Sequence, residues 1–182
     1  MREDQALDAA HATALMLQTR WVLSTVRQGV VGEGDQATYG YFSFPWDAWM
    51  KAMGAIQSTG FWPLAREQPR FLDVGCAIGE KMSLARNLGW DVAGIEKEPE
   101  YAKAARELVP GAEVWEGDAR DFPDYGLFDC IYSYRCYVDA MVQKAFQADV
   151  VRDAKLGAFL FLPSCPPLLR CELVATDVWR KL

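Results

Sequence analysis

From Pro69 onward the chain alternates short apolar runs with segments of helical spacing, and no other feature narrows the fold as much. The runs RFLDVG, DVAGIE, AEVWEG, FDCIYSY and GAFLFLP each end at a polar or turn residue. Between them apolar residues recur at threes and fours, most clearly as Val138, Met141, Val142, Ala145, Phe146 and Val150. Strands that are apolar throughout and separated by such segments imply a parallel sheet covered on both faces, with right-handed crossovers. The expected fold class is α/β: a Rossmann-like, doubly wound, mostly parallel sheet with an N-terminal helical extension and a shortened C-terminal edge.

Ahead of this core, Leu7, Ala10, Ala14, Leu17 and Trp21 form one apolar face of a helix from Glu3 to about Gln28, ended by Gly29. His11 falls on the surface of that helix. The stretch VVGEGDQATYGYFSFP is too rich in glycine and aromatics for a regular element, and Pro45 then opens a second helix, WDAWMKAMGAIQ. Residues 1–69 are read as a helical cap with an aromatic lid segment, and 70–182 as the core. Residues 164–182 leave room for one long strand or one tight hairpin.

Charge and cysteine usage exclude several classes. The net charge is −6 and no Lys/Arg run occurs, so no nucleic-acid partner is expected. No stretch approaches the roughly 20 apolar residues of a membrane span, and MREDQALDAA lacks the order of a signal peptide. The five cysteines are never spaced CxxC and only one histidine is present, so no metal site is expected. Reduced thiols in a cytoplasmic protein are the plain reading.

The stretch FLDVGCAIGE, Phe71 to Glu80, resembles a nucleotide loop with a wrong letter. Counted from Gly75, Ala77 and Glu80 stand where a dinucleotide fingerprint needs glycine, and Asp73 and Glu80 would repel a pyrophosphate. No GK[ST] follows, so a phosphate-binding P-loop is excluded. A ligand with an adenosine but a positive charge in place of phosphate reverses the objection. S-adenosylmethionine, with its sulfonium and ammonium groups, is such a molecule. Gly75 and Gly79 let the backbone approach it, and Ala77 adds one methyl.

With these residues in view, the chain resembles the class I S-adenosylmethionine-dependent methyltransferases over about residues 70–163. Glu96, in VAGIEKEP, stands where that family's acid takes the ribose hydroxyls. Asp118, in EGDARDF, stands where its acid accepts from the adenine amino group. The resemblance implies S-adenosylmethionine as cofactor, contacted by Asp73, Gly75, Cys76, Ala77, Gly79, Glu96, Lys97, Asp118, Ala119 and Ser133. Read without it, Glu96 is a solvated strand end and Asp118 a cap on the turn Asp118-Ala119-Arg120.

Substrate chemistry is expected after the fourth strand, in IYSYRCYVD. Tyr132, Tyr134 and Arg135 are the candidate catalytic residues, and Tyr39, Tyr41 and Tyr137 the candidate substrate contacts. Phe42 and Phe44 are read as packing the extension onto the sheet. Arg135 either binds a substrate carboxylate or pairs with Asp139. Cys136 and Cys165 match the layout of RNA cytosine-C5 methyltransferases without their Pro-Cys dipeptide, and inert buried thiols are preferred. YFSFPWDAWMKAM, the G-I-E followed by Pro and Tyr, and the tail ATDVWRKL are distantly similar to the non-SET lysine methyltransferases. The acceptor is therefore an amine, protein lysine ahead of a small molecule. The rival reading is a cofactor-binding scaffold or sensor without transfer activity. The short tail favours that rival, and a homodimer could complete the edge it leaves open.

Overall fold

The computed structural model describes residues 44–61, 68–165 and 167–182. The long helix expected from Glu3 to Gln28, with His11, and the lid residues Tyr39, Tyr41 and Phe42 lie outside the described residues. The first element described is α1 (Trp46–Ile56), opened by Pro45, whose carbonyl accepts from the Trp49 amide. Its residues Trp49, Ala52, Met53 and Ile56 recur at threes and fours and are buried, which is the apolar stripe that sets it on the sheet.

Alternation then follows as expected: β1 (Arg70–Val74), α2 (Glu80–Asn87), β2 (Asp91–Glu96), α3 (Pro99–Leu108), β3 (Glu113–Glu116), β4 (Cys130–Ser133), α4 (Ala140–Asp153) and β5 (Phe159–Phe161). A hairpin, β6 (Cys171–Ala175) and β7 (Val178–Lys181), closes the sheet. The seven strands lie in the order β3-β2-β1-β4-β5-β7-β6, with β1 to β5 parallel and β7 antiparallel to both of its neighbours. Phe71, Val92, Tyr132, Phe159 and Phe161 pack on one face against Trp49, Met53, Met82 and Ala105 of α1, α2 and α3. On the other face, Leu72, Val74, Ile131 and Leu160 pack against Phe146 and Val150 of α4.

Two details depart from the simplest expectation. Of the two tails considered, the tight hairpin is the one formed, turning at Thr176 and at Asp177 with its φ of 60°. The hairpin extends the sheet past β5 and leaves β6 as its edge strand. The second departure is the β3–β4 crossover, built from two 3-10 turns, Ala119–Asp121 and Tyr125–Leu127, in place of a helix. Asp118 caps the first turn, and Phe122, which precedes Pro123, is extended (φ −74°, ψ 122°), so the turn cannot propagate. A cavity of about 410 Å³, lined by Leu72, Ala93, Trp115, Phe122 and Phe128 among others, remains under this connection.

Candidate active site

The sheet register brings the chemistry to one end. Asp73 near the end of β1 pairs across to Gly94 of β2 and Tyr132 of β4, and Glu96 closes β2 two residues beyond Gly94. Asp118 follows β3. The three acids thus sit along the carboxyl ends of adjacent strands, where open α/β sheets bind their ligands.

The loop from Gly75 to Gly79 is left-handed at alternate residues: φ is 73° at Gly75, 47° at Ala77 and 82° at Gly79. Ala77 therefore occupies a backbone position that favours glycine, at a cost of about 1–2 kcal/mol. The loop is anchored from β2. The Gly75 and Cys76 amides both donate to the Ile95 carbonyl at 2.9 Å, and the Ala77 amide donates to Glu96 Oε2 at 2.7 Å. An added Cβ at Gly75 would stand 3.0 Å from Cys136 Sγ, and one at Gly79 3.2 Å from the Ala105 backbone.

Each acid has a distinct environment. Asp73 is 2% exposed, and burial pushes its carboxyl up to about 8, with Lys81 pulling the other way and Glu80 and Glu96 adding to the rise. Glu96 is also raised by burial, against the pull of the Glu98, Ala77 and Lys97 amides. The Lys97 and Glu98 amides both reach Oε1, at 2.8 and 2.9 Å, so with Ala77 on Oε2 the carboxylate keeps one acceptor position. Asp118 is held well below the usual carboxylate range, first by the Arg120 side chain, with Tyr137 adding to the fall against the rise from burial.

The segment after β4 turns more sharply than an extended strand. Tyr132 is buried, stacked at 17° on Phe71 and packed against Phe161 and Phe44. Burial lifts its hydroxyl well above the ordinary tyrosine range. Tyr132, expected as a catalytic residue, is therefore a core aromatic. Ser133, also buried, lies 3.2 Å from Cys136 Sγ through its Oγ, and that thiol donates to the Val74 carbonyl at 3.3 Å. Tyr134 leaves the strand and meets Phe44 edge-on at 4.9 Å, so Phe44 packs the segment before α1 onto the sheet, as its sequence context implies. Arg135, with a φ of 50°, is exposed and sits 5.4 Å from the Tyr134 ring. Asp139 caps α4, accepting from the Met141 and Val142 amides.

The turn at Arg135 redirects Tyr137. Expected at the substrate mouth, it is buried in the core under α4 against Phe146, with its hydroxyl on Asp118 at 2.6 Å. Ala119 is buried, and its carbonyl accepts from the Tyr125 hydroxyl at 2.7 Å. The Cys136 thiol is pushed up to about 12 and Cys165 to about 11, chiefly by burial, which leaves both protonated near neutral pH.

Sequence reasoning missed Lys81 and its contacts with Glu80 and Trp46. Glu80 and Lys81 form an ion pair at 2.9 Å with both side chains 6% exposed, and Lys81 Nζ lies 5.2 Å from the Trp46 ring. A signal existed: Lys81 falls on the buried stripe of α2 with Leu84 and Ala85. Among the described residues no cluster of His, Cys, Asp or Glu is placed to hold a metal ion, and no helix is long and apolar enough to cross a membrane.

Three acids around a loop whose glycines admit close backbone approach suit a ligand with hydroxyls and amines. They do not suit a pyrophosphate. Comparison with known proteins agrees. Residues 71–155 match the family described as methyltransferase domain. The 2-methyl-6-phytyl-1,4-hydroquinone methyltransferase of Synechocystis is 35% identical over 95 residues, 49% of this chain and 30% of that protein. Ajmaline N-methyltransferase of Rauvolfia serpentina is 32% identical over 108 residues, 54% of this chain and 37% of that one. The chain thus spans well under half the length of these two relatives. The solved plantazolicin methyltransferase BpumL shares the fold, with a TM-score of 0.52 at 15% identity, over 66% of this chain and 48% of that one. Over residues 71–155, a little under half of its length, the chain is thus similar to a methyltransferase domain.

Proposed function

We propose that the chain transfers the methyl group of S-adenosylmethionine to a small-molecule acceptor, an amine in the first instance. The observation that carries this reading is the row of acids, Asp73, Glu96 and Asp118, set around the left-handed loop at the carboxyl ends of adjacent strands. When bound, the cofactor supplies an electrophilic methyl group on a sulfonium, so the chain's task is alignment and exclusion of water. Asp73 would hold the ammonium end, Glu96 the ribose and Asp118 the adenine amino group. The backbone of Gly75, Cys76, Ala77 and Gly79 would line the methionine arm, with Lys97, Ala119 and Ser133 flanking.

Phe44, Trp46, Tyr134 and Arg135 form the acceptor side. Ring faces there favour a flat or cationic acceptor through contacts worth about 0.5–2 kcal/mol each. A small molecule is preferred because the two curated relatives are named for a hydroquinone and an alkaloid. The lysine acceptor, which rested on a distant likeness alone, draws no support from them. Calorimetric titration with S-adenosylhomocysteine, followed by a labelled-methyl screen of small-molecule extracts, tests the reading. Binding with label appearing in a small product is the expected result. Absence of binding refutes the cofactor assignment, and binding without transfer favours the sensor.

A further inference from the structure

The acid assigned above to the adenine amino group is held more tightly than a surface carboxylate needs to be. Asp118 Oδ1 accepts from the Tyr137 hydroxyl at 2.6 Å and from the Arg120 amide and Nε at 3.0 Å each. Oδ2 accepts from Arg120 Nη2 at 2.6 Å. A carboxylate oxygen has two acceptor positions. Oδ1 is therefore filled, and Oδ2 keeps one.

Tyr137 is itself fixed at both ends. Its amide donates to Gln143 Oε1 at 3.0 Å, its ring packs 5.2 Å from Phe146, and it is 6% exposed. Arg120 is half exposed, and its guanidinium lies 5.2 Å from the same ring. A buried phenol and an outer guanidinium thus clamp the carboxylate from two directions. Aspartate otherwise turns freely about its side-chain torsions and can meet either a donor or, through water, an acceptor.

We propose that Tyr137 is a specificity-determining positioning residue: with Arg120 it fixes Asp118 so that the one remaining Oδ2 lone pair reads an exocyclic purine amine and rejects a 6-oxo purine. This rests on the assignment of Asp118 to the adenine end. A 6-oxo group would set an acceptor against an acceptor, and a clamped carboxylate cannot turn away to relieve the clash.

The test compares S-adenosylhomocysteine with S-inosylhomocysteine, titrated into the full chain and its Tyr137→Phe and Arg120→Met variants. Because both ligands are measured on the same protein, a partly unfolded sample lowers the two signals together and leaves the ratio of dissociation constants intact. The wild type is expected to prefer the adenosyl compound by about a hundredfold. Tyr137→Phe keeps the packed ring and should cut that preference about tenfold, mostly by tolerating the inosyl compound. Arg120→Met should move the ratio the same way. A wild-type preference left unchanged by Tyr137→Phe overturns the proposal alone. A wild type that binds both ligands equally overturns the adenine assignment of Asp118 and the proposal with it.

Discussion

Replacing Asp73 with asparagine isolates the cost of the buried acid. The wild-type carboxyl moves from its ordinary 3.8 to about 8 on folding, because burial outweighs the pull of Lys81. Between those values the unfolded chain has lost the proton and the folded chain keeps it. The folded state binds more protons, so wild-type stability falls as pH rises, by about 1.4 kcal/mol per pH unit. The deficit is absent below the unfolded value and complete above the folded one. Across about four pH units it sums to at most about 6 kcal/mol. Asparagine has nothing to ionise, so the variant should gain on the wild type through this window. The pull of Lys81 is already contained in that shift, so about 6 kcal/mol is the ceiling on the gain. Urea unfolding of both proteins from about pH 4.5 to 9 reads the difference directly. Parallel stability curves, or a variant that weakens relative to wild type at high pH, would refute the reasoning.

Three further outcomes follow from the site. Glu96→Gln puts an amide where three backbone N–H groups point, and should raise the S-adenosylhomocysteine dissociation constant at least tenfold, about 1.4 kcal/mol; an unchanged constant in calorimetry removes Glu96 from the site. Gly75→Val forces a branched side chain into φ 73° and against Cys136 Sγ, and should abolish binding while the far-ultraviolet dichroism stays native; normal binding would place the cofactor elsewhere. Tyr134→Ala and Arg135→Ala should leave cofactor affinity within about twofold and lower methyl transfer about tenfold or more; wild-type turnover in both would make the segment structural.

Much of the frame was legible because strand ends announce themselves. RFLDVG and DVAGIE stop at the residues where β1 and β2 give way to loops, and the acids there needed only the register to be brought together. The hairpin was one of two options for the tail because residues 164–182 are too few for a helix and two strands. Tyr137 was not legible. Period-two reasoning fails once Arg135 adopts a positive φ, since a single left-handed residue sends everything after it to another layer. The helix-free crossover was hidden for a related reason. Asp118 capping its own turn and the extended residue before Pro123 are local effects, and they overrule the general rule that parallel strands connect through helices.

The strand order sets unequal backbone protection around the site. β1 is hydrogen-bonded on both sides, to β2 and β4, and its faces are covered by residues of α1 and α2 and of α4. Its amides can exchange with solvent only when the sheet itself opens. β3 lies at the sheet edge, and the loop that leaves it is built from single turns beside a cavity. Amide exchange should therefore be slowest near Asp73 and fastest around Asp118, on the scale of local rather than global opening. The carboxylate at the less protected end is also the one wrapped by Tyr137 and Arg120, so side-chain bonds supply there the order that the backbone does not.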